Sequence, residues 1–200
     1  MNHNQALNIA KSGLFGNIKK IEELDAAIVA YSKRATGQGL DTRENRCGMA
    51  FEVYAEFWLT KIGPRGMNIY EVTDTSSNVM NKGVDFTFID APSGGKRGII
   101  QCKYRSNPMH EFTQDDLSTF IYEFAIENLS KNNSVLFTNC KKKDPFHSSF
   151  DKRAVNRIRL IGRDCQLKQI MMNDSFWSDF SNELTQIVLI SQQTQLMQIP

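Results

Sequence analysis

The chain has no run of the roughly 18–20 consecutive apolar residues that a membrane-spanning helix needs, so no such helix is expected. Its opening stretch, MNHNQALNIAKSGLFG, lacks a basic start followed by a long apolar run, and no secretory signal is predicted. Cysteine is scarce and scattered. Cys47, Cys102, Cys140 and Cys165 include no CxxC pair, which argues against a zinc knuckle. A disulfide framework is not expected at a length of 200 residues, so the reading is reduced thiols in a cytoplasmic protein. There is no internal repeat and no low-complexity tract. Histidine is also rare. His147, in KDPFHSSF, has no second histidine nearby for an HNH pair or an HxK nucleophile, and reads as a solvated loop residue.

What is present is ordinary globular material. Hydrophobic residues make up 40% and charged residues 23%, enough to bury a sizeable core and to exclude bulk disorder. The formal net charge is only +2, but it is unevenly placed. Nine Lys and Arg stand against three Asp between Lys141 and Lys168, and neither Lys nor Arg occurs after Lys168. A basic segment in an otherwise mildly acidic chain points to a polyanion partner. The plainer alternative is a solvated loop and strand edge.

Hydrophobic spacing predicts a helix over 5–30, interrupted by Gly13 and Gly16, and a second over 42–62 that Gly63-Pro64 stops. The period then changes. NIYEVT (68–73), VDFTFID (84–90) and GIIQCKY (98–104) read as strands, the last two joined as a hairpin through Pro92-Ser93-Gly94-Gly95. Thr113 is an N-cap candidate for a helix over 114–130, with Asp115 and Asp116 in its first turn. SVLFT (134–138) and RIRLI (157–161) read as further strands, followed by helices at 164–172 and 176–185. Trp58 and Trp177 read as core. The order predicts an α/β domain with a mixed central sheet of about five strands flanked by helices. The expected division is an N-terminal helical extension (1–42), a core (43–185) and a tail (186–200). The uncharged tail reads as a returning strand or a linker.

The chemistry concentrates in Gly83-Val84-Asp85 and Gln101-Cys102-Lys103. Gln101 and Lys103, two apart on one strand, point to the same face. Pairing through the turn brings Asp85 beside them. An oxygen-rich corner with an ammonium next to it suits a hydrolytic Mg2+ site. Glu52, on the otherwise apolar face of GMAFEVYAEFWL, is costly there unless it is paired or serves a metal. Glu56, Glu71 and Asp74 are weaker additional carboxylates. The plain structural alternative makes Asp85 a turn cap and Lys103 an edge-strand guard.

These residues resemble the PD-(D/E)XK restriction-endonuclease-like superfamily, and specifically its Mrr-like branch. That branch carries GxxFE on its first core helix, GxD on a strand and QxK on the next. Here they are Gly48-Met49-Ala50-Phe51-Glu52, Gly83-Val84-Asp85 and Gln101-Cys102-Lys103, with Tyr104-Arg105 following in the same manner. The resemblance spans about 43–172 and implies a restriction-endonuclease-like core. It implies a Mg2+-dependent DNA endonuclease, with Mn2+ able to substitute. Asp85, Gln101 and the backbone carbonyl of Cys102 would hold the metal, Glu52 would assist through water, and Lys103 would position the attacking water. Lys141, Lys142, Lys143, Arg153 and Arg157 would track DNA phosphates. Val84 stands where the superfamily's name has proline. Gln101 stands where many relatives have a carboxylate, which leaves the site one negative charge short. The alternatives are a structure-selective nuclease of the Holliday-junction-resolvase type and a catalytically inactive DNA-binding relative. The resemblance also implies a bacterial or phage-infected cytoplasm, a homodimer, and a linked helicase or translocase beyond Pro200.

Overall fold

Strands β1 (Ile69–Asp74), β2 (Phe86–Asp90), β3 (Lys96–Lys103), β4 (Ser134–Thr138) and β5 (Arg159–Ile161) hydrogen-bond in that order into one mixed sheet. The computed structural model that shows this describes residues 8–39, 41–63, 69–74, 83–90 and 95–196. The pairs β1/β2 and β2/β3 are antiparallel, whereas β3/β4 and β4/β5 are parallel. Parallel neighbours need crossovers, and each crossover here contains a helix. Helix α3 (Ser118–Ile126) lies between β3 and β4, and the short α4 (Lys152–Val155) lies between β4 and β5.

Further helices are α1 (Ile21–Ser32), α2 (Arg43–Lys61), α5 (Arg163–Ile170) and α6 (Phe176–Leu196). The molecule is thus α/β. The turn expected at 92–94 and the segment 75–82 lie outside the described residues. Among those described, no helix is long and apolar enough to cross a membrane. All four cysteines are free thiols.

The chain divides into two units, one comprising Met1–Tyr54 with Ile170–Pro200 and the other comprising Ala55–Gln169. The first unit is held by apolar and aromatic packing between the two ends of the chain. Phe15 and Phe180 rings stand 5.1 Å apart, and Tyr54 packs edge-on to Phe176 at 6.3 Å. The tail reading is corrected here. Residues 186–196 do not form the expected strand but continue α6. That stretch has no Gly or Pro, and Phe176, Phe180 and Leu184 recur at i, i+4 on a buried stripe.

In the second unit, side chains alternate across the sheet. Ile99 and Leu136 face a cluster made by Leu117, Phe120 and Phe124 around α3 and by Phe150, Ala154 and Ile158 around α4. On β4, Phe137 instead meets Trp58 of α2 at 5.4 Å between ring centroids. A 3-10 turn, Asp115–Leu117, precedes α3, so Thr113 does not cap that helix as expected but exchanges hydrogen bonds with the turn. The Thr113 N–H donates to Asp116 Oδ2 at 2.9 Å, and the Asp116 N–H donates to Thr113 Oγ1 at 3.4 Å. The helix ends earlier than the expected 130, because Asn128 adopts a positive φ of 49°.

Candidate functional site

Gln101 and Lys103 lie on one face of β3, opposite Leu136 and Thr138 of β4. Leu136 belongs to the apolar cluster under α3, so Gln101 on the same face is buried, with 4% of its surface exposed. Lys103, one turn of the pleat further on, is only half-buried at the strand's end.

Asp85 reaches this corner through an irregularity in the ladder. Phe86 is the register partner of Ile100, yet the Asp85 N–H also donates to the Ile100 carbonyl at 2.9 Å. Two residues of one strand thus face one of the other, as in a β-bulge, a device that re-aims a side chain. The Asp85 carboxylate turns onto β3. Its Oδ2 accepts the Cys102 N–H at 2.5 Å and also a hydrogen bond from Gln101 Nε2. Gln101 Nε2 donates as well to the Cys102 carbonyl at 3.1 Å. Asp85, Gln101 and the Cys102 carbonyl therefore converge on one point, as the spacing suggested, with Lys103 next along the strand. Among the described residues no group of three His, Cys, Asp or Glu forms a metal cluster. The convergent donors are instead one carboxylate, one amide and one backbone carbonyl. Asp85 and Cys102 turn oxygen to this point, the donor a hard cation takes, whereas Gln101 turns its amide nitrogen.

Glu52 is half-buried on α2 and belongs to the first unit, whereas Asp85, Gln101 and Lys103 belong to the second. Glu71 and Asp74 lie on β1, with side chains outside the described set.

Sequence reasoning missed a second layer of polar groups behind this corner. Thr138 Oγ1 donates to the Lys103 carbonyl at 2.7 Å. Asn139 holds both backbone groups of Arg105, accepting its N–H at 2.8 Å and donating to its carbonyl at 2.7 Å. Gln166 Nε2 donates to the Thr138 carbonyl at 2.8 Å, and Arg163 Nη1 donates to Gln166 Oε1 at 3.2 Å. Thr138, Asn139, Arg163 and Gln166 are all buried. The available signal was the abrupt switch from apolar to polar after Phe137, at the carboxyl end of a parallel strand, where α/β sheets place their sites.

Arg105 is fixed beyond Lys103. Its guanidinium lies 5.4 Å from the Phe112 ring and donates to Asp116 Oδ1 at 2.7 Å. Burial alone would raise the Asp116 pKa. Hydrogen bonds from Thr113 and Arg105 overcome it and bring the carboxyl down to about 2.

The basic residues separate into classes that charge counting could not distinguish. Lys141, Lys142 and Lys143 follow Thr138, so they leave the sheet at the same end as Lys103. Lys141 and Lys143 are exposed, as is Arg153 on α4. Lys142 pairs with Glu111 and holds that carboxyl below its ordinary pKa by hydrogen bonding and charge. Arg157 is a correction. Its Nη2 donates to the carbonyls of Phe124 at 3.1 Å and Leu129 at 2.7 Å, and its Nε donates to Leu129 at 3.1 Å. The guanidinium closes the C-terminal end of α3 and does not fit the role of a phosphate contact. Arg157→Met should lower stability by about 1–3 kcal/mol, read from the denaturant midpoint, because carbonyls lose charged donors. DNA affinity at a fixed folded fraction should stay unchanged. Arg153→Ala should do the reverse, keeping stability and reducing the salt slope of DNA binding by about one.

No protein-family model, no curated protein and no solved structure matches this chain.

Proposed function

We propose that this chain is a Mg2+-dependent DNA nuclease with a restriction-endonuclease-like core. The observation that carries the reading is the convergence of the Asp85 carboxylate, the Gln101 amide and the Cys102 carbonyl at one strand end. Asp85, the Gln101 amide oxygen and the Cys102 carbonyl would hold the metal. The chemistry such a cation supplies when bound is polarisation of a phosphoryl oxygen and acidification of water. Lys103 orients the attacking water and offsets negative charge in the transition state. Lys141, Lys143 and Arg153 track phosphates without reading bases. Delivery by a linked helicase or translocase, and pairing of two copies, belong to the same proposal.

A second reading has its own support. Asp85 Oδ2 already accepts two hydrogen bonds, which is what a strand-end cap does in a DNA-binding relative that performs no chemistry. The purified chain, given supercoiled, linear and four-way-junction DNA in Mg2+ or EDTA, separates the readings. Cutting that EDTA stops supports the nuclease. Binding without cutting in Mg2+ or Mn2+ leaves only the inactive relative. Cutting confined to the junction identifies a structure-selective enzyme.

A further inference from the structure

The Gln101 side chain occupies an unusual place in its own cluster. Its amide nitrogen carries two N–H groups, and both have acceptors: Asp85 Oδ2 and the Cys102 carbonyl oxygen. Those two oxygens are the ones assigned to a cation in the reading above. The orientation follows from chemistry. A carboxylate and a carbonyl can only accept, so an amide wedged between them must present nitrogen. The group is nearly sealed, with 4% of Gln101 exposed, so water is a poor substitute for either bond.

A divalent cation reverses that requirement. It needs oxygen from every ligand, and the NH2 group would point a positive edge at it. We propose that Gln101 is a latch on the metal site. As it stands, the amide bridges Asp85 and Cys102 in the manner of a surrogate cation, and loading a metal requires the amide to turn over and present its oxygen. This inference rests on the nuclease reading and goes beyond it by assigning the site two discrete amide orientations. A carboxylate at position 101 has no N–H to donate and no orientation that excludes a cation, so the latch is specific to the amide. Its cost lowers apparent metal affinity by the fraction of molecules already turned.

The test uses the full chain and reads the Gln101 NH2 group directly. The side-chain amide signals of 15N-labelled protein are recorded in EDTA and through a Mg2+ titration. The Gln101 pair is identified by its disappearance in Gln101→Glu. Thermal unfolding of both proteins is followed in EDTA, Mg2+ and Mn2+. In EDTA the Gln101 NH2 should exchange slowly with solvent. At Mg2+ concentrations that saturate the melting shift, it should move and exchange faster. Gln101→Glu should melt below wild type in EDTA, because two acids then share the corner without a donor between them. Mn2+ should raise its melting temperature by more than it raises that of wild type. A response to metal in Gln101→Glu alone overturns the latch, because the natural amide would then never turn to load a cation and the new carboxylate would have made the site. A melting shift in wild type with an unmoved Gln101 NH2 overturns the latch and leaves the nuclease reading standing. No shift in either protein with either ion removes the metal site, and the latch falls with it. The wild-type amide signal alone decides the matter should Gln101→Glu fail to fold.

Discussion

Lys103→Ala should lose Mg2+-dependent DNA cleavage by about 10²–10³-fold in kcat, the usual cost of removing one group aimed at developing charge. KM should change little. The variant should fold normally, because the interaction that anchors this residue to β4 uses its backbone: Thr138 Oγ1 donates to the Lys103 carbonyl, and Ala keeps that carbonyl. Single-turnover cleavage of supercoiled plasmid, with circular dichroism as the fold control, measures both. Cutting at near the wild-type rate would show that the ammonium takes no part. Asp85→Ala should also stop cleavage, but for two reasons at once. It removes a carboxylate from the corner and strips the Cys102 N–H of an acceptor, costing about 1–3 kcal/mol at a buried strand position. Asp85→Asn separates them, since its amide oxygen can still accept the Cys102 N–H while the negative charge is gone. Loss of cleavage with stability retained in Asp85→Asn assigns the effect to charge. Equal losses of cleavage and stability in Asp85→Ala alone would return Asp85 to the role of a cap.

The meeting of Asp85 with residues 101 and 102 was legible in the sequence because it depends on two robust regularities. Period-two alternation marks VDFTFID and GIIQCKY as strands, and a short turn between them makes them antiparallel neighbours. Other features were hidden for physical reasons. The extra residue at 85–86 is a ladder defect, invisible until the hydrogen bonds of Ile100 are known. Arg157 and Arg153 contribute equally to a charge count, but one has carbonyls at the end of α3 within reach and the other faces solvent. The continuation of α6 through 186–196 escaped because a stretch of Gln, Thr, Leu and Ile without charge carries no strong helical or extended marker. The joining of the first fifty-odd residues to the last thirty depends on aromatic contacts between distant positions, such as Phe15 with Phe180, and local patterning says nothing about these.

The motif glycines Gly48 and Gly83 look alike in sequence and should behave in opposite ways. Gly83 has a φ of +99°, where a Cβ strains the backbone. The space is closed as well. An added Cβ would lie 2.6 Å from the Thr119 Cβ and 3.1 Å from the Phe120 amide nitrogen. Neither atom is the far end of a flexible side chain, so α3 itself must move, and with it Phe120 and Phe124 of the core cluster. Backbone strain of about 1–3 kcal/mol and overpacking of about 1–3 kcal/mol together give an expected loss of about 2–6 kcal/mol for Gly83→Ala. Against a typical total of about 5–15 kcal/mol, that brings the fold near its limit. Gly48 lies within α2, and the nearest atom to an added Cβ is Glu52 Oε1 at 4.0 Å. Gly48→Ala should therefore be tolerated and should raise stability by about 0.5–1 kcal/mol through the lower entropy of the unfolded chain. Urea unfolding of the two variants side by side measures the contrast. Equal effects of the same sign would mean that α3 does not press against Gly83. That would also remove the packing account of why a glycine stands two residues before Asp85.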